Sequence, residues 1–488
     1  MRRLLKQRAL QVVALIALIT GVGTVCFLTK YCVIDPDVWW HLKVGDWVLQ
    51  HHAVPHNGIF SSSATNHPWV AYSWGYEVLL SLFYSAFGLM GIGWYGLVLT
   101  LLVALSIFWM LHRLSHRFWS SWLLTIVTVA GFLFHIAPRP VFFSMACFAV
   151  VLTLILEAER KGRIEGLYVL PVIFVLWANL HIQFVYGLFL LGLLMGVHVV
   201  LRTLEATGHF PQMLARPTLP LLPLIGLFAV CLPSCCLGPY SWHLYQVVFE
   251  YSRSKVPYTT VQELQALNFE TFGHYLVLGL GAGAFFAIGW SRKISLFKLA
   301  LMLIASVVAF RTRRDAWFLC VPAAACIADF PSAAEVVRNR ARQVAEWAGI
   351  ALASAMLLLL IAPNVSFNSM GIAATIRETF PVDAVNYIRR NPAPGPLYNN
   401  LSWGGFLIWY MPEFPVAIDG RNELYGDEAD ARSYSTERGE SSYASNPQLR
   451  NAGLVVLKRS LPLTGILSMD ARFRIAYQDD VAVVFVRQ

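Results

Sequence analysis

The tripeptide Asp35-Pro36-Asp37 carries the sharpest chemical signal in the chain. Two carboxylates at i and i+2, stiffened by the proline between them, form an acidic hook. Such a hook can act as a general base beside a binding site, or hold a divalent cation through hard oxygens. The competing explanation is a solvated acidic turn beside Trp39, Trp40 and Trp47, since indoles anchor at the lipid headgroups. A second signal is Arg311-Thr312-Arg313-Arg314-Asp315. The planar fork of arginine matches phosphate oxygens. Arg139, in Ala137-Pro138-Arg139-Pro140, is a fourth arginine at the end of an apolar run. Here the alternative is an ordinary basic loop. A third set is His41, Asn66, Trp69, Trp74 and Glu77, with Asn179, His181 and Gln183 in a tight turn and Glu263 further on. Polar side chains at helix ends near a bundle centre line substrate paths, and each also has the plainer reading of a local hydrogen bond. The fourth is Asn399-Asn400-Leu401-Ser402-Trp403-Gly404-Gly405 with Asp419-Gly420-Arg421-Asn422. Its glycines mark tight turns or close backbone approach. Asp419 and Arg421 either contact substrate or pair with each other.

The elements that must position these residues follow from composition. The chain has 488 residues, is 57% hydrophobic and only 13% charged, and has a mean hydropathy of +0.57. Soluble domains are about 45–50% apolar and about 25% charged, so a soluble enzyme, a disordered chain and a nucleic-acid module are all excluded. The surplus lies in apolar runs near the roughly 20 residues that cross a bilayer as a helix. About eleven such spans are expected, over residues 10–30, 89–111, 119–137, 140–157, 166–180, 183–201, 217–236, 271–290, 295–311, 315–330 and 345–363. Residues 74–88 read as an amphipathic helix on the membrane surface. The fold class is thus an all-α polytopic membrane protein with a small soluble α/β domain at the C-terminus. The transmembrane domain covers residues 1–363, with long outer loops at 31–88 and 237–270, and the α/β domain covers 364–488. Within the latter, Phe380 to Arg390 has helical spacing, whereas Gly404 to Tyr410, Pro415 to Ile418, Leu454 to Lys458 and Val481 to Val486 read as strands.

Charge supports an orientation. Residues 1–363 carry a net +10 and residues 364–488 a net −1. Loops assigned to the cytoplasm hold 17 Lys and Arg, and those assigned to the outside hold eight. This bias places the N-terminus in the cytoplasm and the tail outside. It also makes the basic pI a loop property, with no nucleic acid as partner. All eight cysteines precede residue 327, mostly in apolar runs, and read as inert small hydrophobes. The sequence contains no G-x-x-x-x-G-K-[ST], no H-E-x-x-H and no paired C-x-x-C, which disfavours ATP-driven transport and zinc chemistry.

A short N-terminus, one span, and a long outer loop opening with Asp35-Pro36-Asp37 resemble the GT-C superfamily of integral membrane glycosyltransferases. The text Asp35 through Leu42, Val54-Pro55-His56, Pro68-Trp69-Val70 and Trp74-Gly75-Tyr76-Glu77 is similar to a bacterial branch with a C-terminal extracytoplasmic domain. So are Trp177-Ala178-Asn179-Leu180-His181, Trp403-Gly404-Gly405 and Asp419-Gly420-Arg421. The resemblance covers nearly the whole chain. It implies a polyprenyl-phosphate-linked sugar as donor, taken from the membrane lipid, and an acceptor hydroxyl on a glycan, lipid or protein. It implies Asp35 or Asp37 as general base, and Arg311, Arg313, Arg314 and Arg139 as holders of the lipid phosphate. His41, Trp69, Glu77, Asn179, His181, Glu263, Asp419 and Arg421 become candidate substrate contacts. A divalent cation, Mg or Mn, on Asp35 and Asp37 is compatible with the family but not implied by it. The W-W-D-Y-G text of oligosaccharyltransferases is absent, so the acceptor class is open. The expected location is the inner membrane of a bacterium. Alternatives are a polysaccharide polymerase or ligase using a lipid-pyrophosphate glycan, a non-catalytic lipid or polysaccharide transporter, and a scaffold acting through the tail.

Overall fold

The computed structural model describes residues 10–15, 17–18, 21, 31–132, 139–253, 262–330, 369–440 and 443–488. The chain folds as two compact units, each discontinuous in sequence. A helical unit comprises Met1–Thr29, Gly96–Ser241 and Glu263–Val365; a mixed unit comprises Lys30–Tyr95, Trp242–Gln262 and Ser366–Gln488.

In the helical unit, four described helices are long and apolar enough to cross a bilayer: Leu89–Ser115, which begins in the other unit, Val141–Lys161, Phe184–Ala206 and Phe272–Gly289. Shorter helices at Phe118–Phe132, Leu170–Leu180, Leu221–Ser234, Leu296–Arg311 and Trp317–Ala328 occupy other expected spans. The expected total of about eleven thus exceeds the four that length and apolarity single out. The span at 345–363 lies outside the described residues, as does most of the one at 10–30. Trp317–Ala328 is the core of the unit, buried continuously from Trp317 to Cys326. Small residues let its neighbours approach: a β-carbon on Gly131 would lie 3.2 Å from Cys320 Sγ, and one on Gly283 3.2 Å from the Ile327 side chain. Close backbone approach of this kind drives helix association where lipid supplies no hydrophobic force.

In the mixed unit, helix α1 (Asp37–His51) packs on helix α2 (Trp74–Phe87). Gly45 sits where the two meet, with no room for a β-carbon against the Glu77 carbonyl. The tail contributes strand β1 (Leu397–Asn399), helix α3 (Leu401–Tyr410), helix α4 (Asn422–Glu437) and strands β2 (Leu454–Lys458), β3 (Phe473–Gln478) and β4 (Ala482–Arg487). The sheet order is β1-β2-β4-β3, with β1 parallel to β2 and the other pairs antiparallel. Val455 and Val483 join Phe485, Leu463 and Leu467 in its apolar core.

Residues 382–390, 454–458 and 482–487 fold as the sequence predicts, and residues 74–87 are helical. Two expectations need correction. Residues 404–410, read as a strand, belong to helix α3. A seven-residue apolar run does not distinguish a buried strand from a buried helix, and six consecutive residues of α3 from Trp403 to Ile408 are buried. Residues 415–418 form no ladder of the sheet; Val416 instead makes an isolated parallel bridge to Ser61 of the first loop.

Candidate active site

The acidic hook opens helix α1. Pro36 stands at its N-cap with φ of −62°, the value a proline ring imposes at a helix start. The Asp37 amide donates to Asp35 Oδ1 at 3.1 Å, and the Trp40 indole N–H donates to Asp37 Oδ1 at 3.2 Å. Negative charge at this end of a helix is favoured by the unpaired amides and the dipole. The two carboxylates are not equivalent: Asp35 is buried and turned back onto the backbone, while Asp37 is half-buried. No cluster of three or more His, Cys, Asp or Glu side chains able to hold a metal ion occurs among the described residues. The hook alone therefore does not assemble a cation cage.

Beside the hook lies a buried polar layer shared by the first loop and the tail. His41 Nδ1 and Glu77 Oε1 are 3.0 Å apart, and both residues are buried. Burial pushes the Glu77 carboxyl well above the usual carboxylate range, with Glu423 adding to the effect and Arg421 opposing it. Burial thus favours the uncharged form of this carboxyl beside the imidazole. Trp69 donates through Nε1 to Glu423 Oε1 at 3.1 Å. Arg421 is fully buried and grips Asp419 through Nε at 2.8 Å and Nη2 at 2.7 Å. It also donates to the Ile59 carbonyl at 2.9 Å and lies over the Trp69 ring at 4.7 Å. Tyr425 donates to Asp419 Oδ2 at 2.6 Å. Asp419 and Arg421 therefore take the pairing alternative, closed off from solvent.

The arginines lie in the helical unit. Arg139 Nη1 donates to Glu263 Oε1 at 3.0 Å, and Arg314 Nη1 stands 3.8 Å from the same oxygen. Burial alone would raise the Glu263 carboxyl, but the two arginines outweigh it and hold it below its ordinary value. Arg313 donates its amide to the Gln265 carbonyl and its Nε to the Ala266 carbonyl, so it braces the loop. Arg311 ends its helix and is exposed. The structure thus gathers Arg139 and Arg314 around one carboxylate and gives Arg313 a different task. His181 is buried, with Nδ1 at 2.7 Å from the Ser144 hydroxyl, which also accepts from Trp177 Nε1. Burial and then Arg314 keep its imidazole far below the ordinary value, hence neutral. The Asn179 amide donates to the Val175 and Leu237 carbonyls, tying down a turn.

Three partners escaped the sequence reading: Glu423, Tyr425 and Ser144. Glu423 and Tyr425 lie in the first turn of helix α4, just after the Asp419–Arg421 pair.

No family model and no curated protein matches the sequence. Solved structures do. The chain is similar to the oligosaccharyltransferase of Archaeoglobus fulgidus tethered with an acceptor peptide containing the NVT sequon: TM-score 0.52, 11% identity, 90% of this chain and 69% of that one. The apo form of that enzyme gives a TM-score of 0.51 at 10% identity over the same shares. The chain shares the fold of these oligosaccharyltransferase structures. ArnT from Cupriavidus metallidurans bound to undecaprenyl phosphate is also similar, with a TM-score of 0.49, 14% identity, and 96% of this chain and 97% of that one covered. Identities this low speak to architecture only. Four of the described helices are long and apolar enough to cross a membrane.

Proposed function

We propose that the protein is a membrane glycosyltransferase that moves a sugar from a polyprenyl-phosphate donor to an acceptor hydroxyl on the outer face of the membrane. The observation that carries this reading is a half-buried carboxylate, Asp37, at the start of a helix in a GT-C fold. Asp35 is buried and Asp37 is half-buried, so Asp37 is taken as the base. In the reaction Asp37 accepts the proton of the acceptor hydroxyl. The hydroxyl oxygen attacks the anomeric carbon, the bond to the phosphate oxygen breaks, and polyprenyl phosphate leaves with inversion at that carbon. Arg139 and Arg314 stabilise the charge that develops on the leaving phosphate. No step passes through a cation.

The test uses the full-length protein in nanodiscs with a panel of synthetic undecaprenyl-phosphate hexoses and pentoses, following release of undecaprenyl phosphate. Asp37→Asn should lower the rate by about 10²–10⁴-fold, the usual contribution of a general base, with the protein still folded. Asp35→Asn should retain most of it. Wild-type turnover in Asp37→Asn removes the base assignment. Arg314→Ala and Arg139→Ala should each weaken binding of undecaprenyl phosphate. Release from lipid-pyrophosphate glycans alone would instead favour the polymerase or ligase reading.

A further inference from the structure

Two tail motifs with no assigned role press directly on the acidic hook. Gly405, in helix α3, has no space for a β-carbon: it would overlap the Pro36 carbonyl and lie 3.1 Å from Trp40 Cδ1. Gly420, between Asp419 and Arg421, is equally confined. A β-carbon there would overlap Asp37 Oδ1 and lie 3.5 Å from Trp40 Nε1. Neither glycine has a left-handed φ, so the constraint is one of space: backbone at Gly405, and the Asp37 side-chain tip at Gly420. The two contacts bracket one feature, the hydrogen bond from Trp40 Nε1 to Asp37 Oδ1. The His41 ring lies 3.6 Å from the Trp40 ring, centroid to centroid. Gly420 is itself fixed from both sides by the buried Asp419–Arg421 pair, which reaches across to the Ile59 carbonyl.

We propose that the C-terminal segment is part of the catalytic apparatus, with Gly405 and Gly420 seating the edge of Trp40 so that the Asp37 carboxylate is held in one orientation. The proposal rests on the reading of Asp37 as the base. Trp40, Gly405 and Gly420 are positioning residues; none needs to touch substrate. A carboxylate displaced by about 1 Å loses reactivity on the scale of 10²-fold, and a β-carbon at Gly420 would overlap Asp37 Oδ1, so one of the two must move.

The test compares Gly420→Ala, Trp40→Phe and the control Gly465→Ala, whose β-carbon would meet open space, in the full-length protein. Hydrogen exchange is read at the amides of residues 37–41, together with the thermal midpoint. On an undecaprenyl-phosphate sugar that the wild type turns over, kcat and donor KM are read as well. We expect faster exchange at residues 37–41 only, kcat down by about 10–100-fold, and unchanged donor KM and midpoint. Gly465→Ala should match the wild type throughout. Trp40→Phe removes the indole donor and leaves a smaller aromatic ring, so it serves even if Gly420→Ala fails to fold. Wild-type exchange at residues 37–41 in Trp40→Phe overturns the proposal without recourse to any substrate. So does a uniform loss of midpoint and protection across the tail, which marks plain packing. If Asp37→Asn is inactive while both variants keep full kcat, positioning fails and the base assignment stands. If Asp37→Asn is fully active, the base assignment itself fails.

Discussion

The Asp430 carboxyl lies buried in helix α4, and its Oδ1 has no hydrogen-bond partner among the described residues. Burial, then Asp427, Glu423 and Asp419, push it up to about 7. The unfolded chain releases this proton near pH 4. Between about pH 4 and pH 7 the folded state therefore holds a proton that the unfolded state has lost, and stability falls as pH rises through that window. Asp430→Asn removes the cost. Its thermal midpoint should exceed that of the wild type at pH 8, and the two should converge below pH 4. At the same scale, the acidic hook shows where sequence reading stops. Spacing identifies Asp35 and Asp37 as a pair but cannot rank them. The structure distinguishes them by burial: Asp35 is buried with the Asp37 amide on it, and Asp37 is half-buried with the Trp40 indole on it. Likewise Asp419 and Arg421 look like substrate contacts until burial shows them bound to each other.

Among elements, helix α1 is tied to the tail through Trp39. This fully buried indole makes edge-on contacts with Phe380 at 5.9 Å, Phe406 at 5.6 Å and Tyr410 at 5.4 Å between ring centroids. Trp39→Ala leaves a cavity lined by all three rings and should cost about 3–5 kcal/mol. The measurement is the thermal midpoint, with trypsin cleavage of residues 366–488 rising in parallel. The strands of the tail were legible because β-branched runs such as Leu454 to Lys458 have few other places to go. Helix α3 was not, because Trp403-Gly404-Gly405 looks like a turn followed by a strand. The glycines are there for another reason. Gly404 packs against Ile418 and Asp419, and Gly405 against Pro36, contacts that only the tertiary structure brings about.

For the whole molecule, the division that matters is not a point along the chain. The mixed unit is built from the first long loop, a short stretch around residues 242–262, and the tail. Sequence patterning finds a polytopic membrane segment and a soluble tail. It does not show that the tail's partner is a loop more than three hundred residues earlier, because hydropathy reports burial and not what does the burying. Truncation after residue 365 should therefore do more than remove a domain. It should open residues 30–95 to protease and abolish undecaprenyl phosphate release, while the membrane helices still insert. Full retention of activity on truncation would show that the tail is dispensable.

The bond from the Ser62 hydroxyl to the Val416 carbonyl closes a sequence separation of 354 residues. At the usual 5–20 residues per second of synthesis, the first loop waits about 20–70 s on the ribosome before its partner exists. Through that interval Trp39 lacks the rings that will cover it, and the acidic hook lacks the glycines that will brace it. A nascent chain interrupted between residues 290 and 420 would thus hold its four long apolar helices but no braced carboxylate. Biosynthesis itself then acts as a safeguard: under the proposed function, no carboxylate is braced until the tail has been made.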